Sequence, residues 1–253
     1  MEIDVANNVF DDLTEVFDEL VDWPKRLANE EPFYRSLFAR IGVHRLVDVA
    51  CGTGRHAAMF HSWNLHVQAA DISPRMIELA RSHFSEPPGL HWVVRGFDEP
   101  VESAERFDAA LCVGNSLALA PDVTVVQSAL QQMLAAVRNG GVAVVHVLNL
   151  WRLPDGPCVW HKCKRATLPQ GEVLIARGVH RCGSRGYIEL IEADLTGGVS
   201  MRGESARLLG LEAPELERIA RRAGAARVEV FGGYQQQPYN RQESIDLLIV
   251  SEK

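Results

Sequence analysis

Between Arg45 and Ala57 the chain reads RLVDVACGTGRHA, and this run narrows the choice of fold more than any other. A short apolar segment breaks into Gly52-Thr53-Gly54 and then into residues able to wind as a helix through His56, Met59 and Phe60. A strand, tight turn and helix in that order aim free amide groups of the helix start at the turn, and glycine admits a ligand where a Cβ would intrude. The junction predicts an open α/β sheet with a ligand cradle at the end of its first strand.

The rest of the chain fits such a sheet. Apolar strand segments are expected at 45–50, 66–70, 91–95, 107–113 and 142–148, with helices at 55–63, 74–84 and 122–138 between them. Near-continuous apolar strands alternating with helices predict a parallel sheet covered on both faces, all its strands ending on one edge. Residues 151–210 change character. Four alternating runs, at 158–166, 171–181, 186–195 and 199–208, are separated by breaks at Gly183, Gly186 and Gly197-Gly198 and predict an antiparallel meander. A helix at 213–224 and strands at 226–231 and 245–251 follow, giving seven strands in the main sheet.

Upstream of the glycine turn, Val9, Leu13, Val16, Phe17 and Leu20 recur at helical spacing over residues 8 to 22. A second helix starts near Pro24 and stops at Gly42, with Glu30-Glu31-Pro32 as a point where it could divide. The expected organisation is a helical lid at 1–44, an α/β core at 45–150 and 211–253, and an inserted antiparallel β subdomain at 151–210.

A formal net charge of −7 gives no general attraction to nucleic acid, so a small-molecule partner is expected. No apolar run approaches the roughly 18 residues a membrane helix needs, and the acidic start lacks the build of a signal peptide. Five cysteines, an odd number without regular spacing, suit reduced thiols and a cytoplasmic setting. Cys51 and Cys112 lie in or at the end of apolar strands without an evident base. Cys158, His161, Cys163, His180 and Cys182 match no structural zinc spacing, and no metal is expected.

Two ligand classes compete for the turn. Gly52, Gly54 and Ala57 satisfy G-x-G-x-x-G/A, and Asp71 ends the next strand, where an acid can hold ribose hydroxyls; a nicotinamide dinucleotide would use both. Asp48, four positions before Gly52, would repel a pyrophosphate but suits a ligand bearing an amino group. Asp71 could also cap the following helix, although Ser73 is better placed to do so. Gly114-Asn115-Ser116 ends the fourth strand on the ligand edge, and Asn115 either orients a substrate amine or satisfies local backbone.

The segment Asp48-Val49-Ala50-Cys51-Gly52-Thr53-Gly54 resembles the first motif of the class I S-adenosylmethionine-dependent methyltransferases. FDELVDWPKRLANEEPF, FDAALCVGNSLALAPD, VRNGGVAVVHVLN and EVFGGYQQQPYNRQESIDLLIV together resemble the glycine and sarcosine N-methyltransferase group, over most of the chain but only loosely across 151–210. The resemblance implies a Rossmann-like, seven-stranded, mostly parallel sheet with helices on both faces. It also implies S-adenosylmethionine as cofactor and N-methylation of a small amine or amino acid by proximity and orientation.

By the same resemblance Gly52 and Gly54 approach the cofactor's methionine moiety, with Asp48 and Ala50 beside them. Asp71 takes the two ribose hydroxyls. Trp23 and Arg26 reach down from the lid, Arg26 onto the cofactor carboxylate. Ile72, Met76, Phe97, Asp98, Val113 and Gly114 complete the cofactor set, and Asn115 is the catalytic candidate. The chain also departs from its apparent relatives. Gly96 stands where an acid is common, so that either Asp98 or backbone must hold the adenine amino group. Leu119 replaces a histidine, Phe17 a tyrosine, and Asn139 a proline. An oxidoreductase on the same turn and a non-catalytic cofactor-binding protein are the rival readings. Residues 151–210 either cap the pocket or build a homodimer contact, and Tyr234 to Tyr239 either border the pocket or form a surface loop.

Overall fold

The computed structural model describes residues 14–168, 171–196 and 200–253. Val9 and Leu13 of the first expected helix and the Gly197-Gly198 break lie outside the described residues, as does the Phe17 side chain.

Seven strands form the main sheet: β1 (Arg45–Asp48), β2 (His66–Asp71), β3 (Leu90–Val94), β4 (Phe107–Cys112), β5 (Val137–Leu148), β10 (Arg227–Phe231) and β11 (Asp246–Glu252). Their order is β10-β11-β5-β4-β1-β2-β3. β5, β4, β1, β2 and β3 run parallel, while β11 is antiparallel to both β5 and β10. Chain order reverses between β1 and β4, so the crevice at their C-terminal ends is where an open sheet of this kind receives a ligand.

The strands are buried on both faces because alternate residues feed two apolar layers. Leu46, Ala109, Leu111 and Val144 face helices α2 (Trp23–Ile41), α3 (Arg55–Ser62) and α4 (Pro74–Phe84). Val47, Ala110, Cys112 and Val145 face α5 (Val123–Ala136) and α6 (Ala213–Arg222). A second sheet, β6 (Val159–Leu168), β7 (Gly171–Cys182), β8 (Arg185–Asp194) and β9 (Met201–Leu209), is antiparallel throughout. Its Ile175, Ile188 and Leu190 join the α5 layer. The short helix α1 (Thr14–Leu20) lies under it: Lys162 Nζ donates to the Leu20 carbonyl, and Lys164 pairs with Glu19 at 2.8 Å.

Two expectations are corrected. α2 does not divide at Glu30-Glu31-Pro32. An interior proline costs about 3 kcal/mol, but Phe33, Tyr34, Leu37 and Phe38 on the same helix are all buried, and roughly 2 kcal/mol for each outweighs it. The Asp22 side chain accepts from the Lys25 amide at one end, and Gly42 closes the other at φ +70°. The helix expected to reach residue 138 stops at Ala136, and strand β5 already begins at Val137. Gly140, at φ +72°, lets the strand bulge, so that Val137 pairs with Phe107 before the register resumes at Val142 opposite Ala109.

Candidate active site

A cavity of roughly 380 Å³ opens at the β1–β4 crevice, large enough for a small-molecule ligand. Its floor is Val49, Ala50 and Gly52 of the glycine turn, its lid Leu20, Val21 and Arg26, and its roof Arg177 and Ile188 of the second sheet. The second sheet thus covers the pocket through strands β7 and β8.

The two glycines of the turn do different work. Gly52 adopts φ +53° and a Cβ there would meet nothing within 4 Å, so its bare face is open to a ligand. Gly54, at φ +82°, is filled from behind: a Cβ would stand 2.5 Å from Trp92 Cη2 and 3.0 Å from the Ala80 methyl. Gly54 does not line the cavity; it lets α3 pack on β3 and α4.

Asp71 is held by its neighbours. Oδ2 accepts from the Gly52 amide at 2.8 Å and Oδ1 from the Ser73 amide at 3.0 Å, while Ser73 Oγ caps α4 by accepting from Met76. Each carboxylate oxygen has two lone pairs, so a fixed Asp71 can still accept from a diol. Asp48 lies beneath the turn, 1% exposed, with Oδ1 accepting weakly from Ala50 at 3.3 Å and Oδ2 buried without a partner. Burial raises its pKa to about 7, and Asp71 pushes the same way against the opposing Ala50 bond and Arg26. An orphaned buried carboxylate oxygen suits a cationic amine and opposes a pyrophosphate.

The lid is tied to the turn by two clusters that the sequence did not announce. Asp18 accepts from Trp23 Nε1 and from Thr53 Oγ1, both at 2.7 Å, and pairs with Arg55. Trp23 therefore anchors α1 and does not line the cavity. Arg26 Nε donates to Glu30 Oε1 at 2.8 Å, and His56 Nε2 donates to Glu30 Oε2 at 2.7 Å. Burial would raise the Glu30 pKa, yet the His56 bond and Arg26 bring it down to about 2. The His56 pKa also falls, through burial. A true ion pair would have raised it, so His56 is a neutral donor and Arg26 the counter-charge. Burial works against the Arg26 charge, but Glu30 more than offsets it and raises its pKa. The guanidinium then reaches the cavity, Nη2 standing 3.2 Å from where a Gly114 Cβ would be.

At the far end Ile72, Met76 and Phe97 make an apolar wall, with Ile72 52% exposed. Asp98 lines the same end. A Cβ on Gly96 would stand 3.0 Å from Asp98 Oδ1, so the Asp98 carboxylate fills the space a side chain at 96 would take.

At the near end Asn115 satisfies local backbone and lies on the cavity wall. Its Oδ1 accepts from the Leu148 amide at 2.9 Å. Val113 is core and does not line it. Tyr234 is not a pocket wall either; it is buried with its hydroxyl 3.3 Å from that of Tyr34, while Tyr239 donates to Asn149 Oδ1 at 3.0 Å. Sequence reasoning missed Arg177. Its Nε is buried without a partner, burial and Arg26 lower its pKa, and no carboxylate pairs with it among the described residues. Only its place in an alternating strand of an acidic chain could have signalled it.

Of the expected residues, then, the structure brings Arg26, Ala50, Gly52, Asp71, Ile72 and Met76 to one cavity, together with Phe97, Asp98, Gly114 and Asn115. It leaves Trp23, Asp48, Gly54 and Val113 just behind the walls.

Residues 46–141 match the family model described as a methyltransferase domain. The chain is therefore similar to methyltransferases over that stretch. It is 31% identical over 160 residues to the glycine N-methyltransferase of Mus musculus, covering 56% of this chain and 55% of that protein. The chain thus spans about half the length of the curated relatives it matches. The fold of the chain also follows two solved structures. One is an S-adenosylmethionine-dependent methyltransferase from Clostridium acetobutylicum, at TM-score 0.75, 13% identity and 97% and 99% coverage of the two chains. The other is an amino pentose methyltransferase from Micromonospora echinaspora, at TM-score 0.69, 22% identity and 92% coverage of each.

Proposed function

We propose that this chain transfers a methyl group from S-adenosylmethionine to the nitrogen of a small amino acid, whose carboxylate rests on Arg177. The unpaired, largely buried guanidinium over the cavity carries this reading, because a buried cation without a counter-charge is costly and a planar fork suits a carboxylate. The curated relatives named as glycine and glycine/sarcosine N-methyltransferases place those two amino acids first among acceptors to assay. A cavity of roughly 380 Å³ and a net charge of −7 speak for a small acceptor over nucleic acid. Five free cysteines suit a reducing cytoplasm, and no helix is long and apolar enough to cross a membrane among the described residues.

The residues present fit the cofactor. Open Gly52 admits a chain against the turn, Asp48 Oδ2 is a buried carboxylate oxygen without a partner beneath it, Asp71 is fixed for a diol, and Asp98 offers an acceptor to an exocyclic amine. S-adenosylmethionine, when bound, supplies an electrophilic methyl group. The protein's share is placement. Arg177 fixes the acceptor's acid end, Asn115 faces its nitrogen, and the second sheet keeps water away. No carboxylate or imidazole lines the acceptor end among the described residues. Arg26 and Arg177 instead disfavour a third positive charge there, so the acceptor sits as the free amine that can attack.

The experiment is a pair of variants read by calorimetry with S-adenosylhomocysteine and by acceptor kinetics. Losing a charge-assisted contact is worth roughly tenfold to a hundredfold. Arg177→Met is expected to raise KM for an amino acid acceptor by that factor and leave S-adenosylhomocysteine affinity unchanged. Asp98→Ala should do the reverse. Equal use of an amino acid and its decarboxylated amine by the unmodified protein would sink the role of Arg177.

A further inference from the structure

Gly114 and Asn115 both sit in the left-handed backbone region, at φ +78° and +79°. A non-glycine residue there costs energy, so the turn holds its shape only if its surroundings impose it. Three hydrogen bonds do so. The Asn115 amide donates to the His146 carbonyl at 3.1 Å, the Leu148 amide donates to Asn115 Oδ1 at 2.9 Å, and the Gly114 amide donates to His146 Nδ1 at 3.3 Å. The first two are indifferent to protonation. The third needs a lone pair on Nδ1, which exists only while that nitrogen carries no proton.

With Nδ1 accepting, the proton belongs on Nε2, a buried nitrogen that makes no hydrogen bond and lies 3.2 Å from Asp246 Oδ1 on β11. The Tyr234 ring centroid is 5.2 Å from that of His146, and His146 acts electrostatically on His56 of α3. From α2, Arg26 Nη2 approaches the opposite side of Gly114. The turn is thus pressed between Arg26 and His146, at the junction of the cofactor and acceptor ends of the cavity.

We propose that His146 is a positioning residue: in its neutral form, with the proton on Nε2, it holds the Gly114-Asn115 turn in place for methyl transfer, and its protonation releases that turn. Protonated Nδ1 would set one N–H against another and remove the bond. Asn115 would then swing away from the acceptor nitrogen while Gly52 and Asp71 keep the cofactor. The proposal rests on the transfer activity argued above.

Its test has one arm independent of turnover. In 15N-labelled protein at pH 8, the His146 resonances should report an unprotonated Nδ1 and a protonated Nε2, and the Gly114 amide should be protected from exchange. Protection should fall as His146 takes up a proton. The opposite tautomer, or protection that persists through that titration, overturns the proposal. The second arm measures kcat from pH 6 to 9. Asn keeps an acceptor at the δ position and cannot titrate, so His146→Asn should stay within about threefold of the unmodified protein at pH 8.5 and lose the part of the acid limb owed to His146. The limb owed to the acceptor amine stays in both. His146→Leu should lose about tenfold or more in kcat at every pH with S-adenosylhomocysteine affinity within about threefold. Identical pH profiles for His146→Asn and the unmodified protein overturn it, as does full kcat in a folded His146→Leu. If no acceptor is methylated, the transfer reading fails and the resonance arm alone decides the role of His146.

Discussion

Gly52 and Gly54 are separated by one residue and share a motif, yet their missing side chains face different things. At Gly52 the space is empty and the demand is conformational; at Gly54 an aromatic ring and a methyl already occupy it. Substituting each by alanine should separate the two demands. Gly52→Ala should cost about 1 to 2 kcal/mol for the left-handed backbone and weaken S-adenosylhomocysteine binding about tenfold or more, since the added methyl enters the cavity. Gly54→Ala should cost more in stability, about 3 kcal/mol or above, because it adds a clash with Trp92 to the same backbone strain. Thermal melts with and without S-adenosylhomocysteine read both, and equal losses of affinity at equal stability would contradict the distinction. The motif spelled out that both positions need glycine. It could not say that the reasons differ, because Trp92 lies 38 positions beyond Gly54 in the chain.

At the scale of the element, α2 is a lid held by a buried polar seam. Arg26, Glu30 and His56 join it to α3, while Asp18 joins α1 to the turn through Thr53 and Arg55. Removing Glu30 leaves Arg26 without its counter-charge and His56 without its acceptor. Glu30→Ala is therefore expected to destabilise by about 3 kcal/mol, while Glu30→Gln, which still accepts from His56, should lose less. Chemical denaturation gives both values, and a loss below about 1 kcal/mol for the alanine variant would show the seam to be dispensable. The sequence showed helix spacing, Pro24 and Gly42 and so located α2 well. It could not show that Glu30 faces inward, since a glutamate beside another glutamate ordinarily reads as solvent-facing, and its partner His56 belongs to a different element.

At the scale of the whole molecule, acid should loosen the fold in two stages. The His56 pKa is depressed, so its contribution is present above the ordinary histidine value near 6.5 and is lost as pH falls through its lowered folded value. Glu30, brought down to about 2, contributes fully above 4.5 and loses that contribution between 4.5 and about 2. Asp48 runs the other way. Its pKa is raised to about 7, so its contribution is present below 3.8 and is lost as pH rises through 7. Unliganded protein should therefore be most stable on the acid side of neutrality, above the Glu30 transition and below that of Asp48, and Asp48→Asn should raise the melting temperature at pH 8 while weakening S-adenosylhomocysteine binding. In Asp48→Asn, where the opposing contribution is gone, a melting temperature unchanged between pH 6.5 and 3 would refute the acid-side assignment.

The sequence by itself determined the order of elements, the parallel core, the strand edge where the cavity lies and many of the residues that line it. These follow from local patterning: an apolar strand, a glycine turn, a helix start, and an acid at the end of the next strand. The tertiary structure decided the rest, for a reason of distance along the chain. Arg177 becomes an acceptor-site candidate only because the second sheet folds back over a turn more than a hundred residues earlier, and His146 matters only because β5 runs beside Gly114. Asp98 fills the space above Gly96 through a side-chain direction that spacing leaves open. Strand and turn signals are written in neighbouring residues, whereas a buried charge acquires its meaning from the partner it has or lacks once the chain has closed around it.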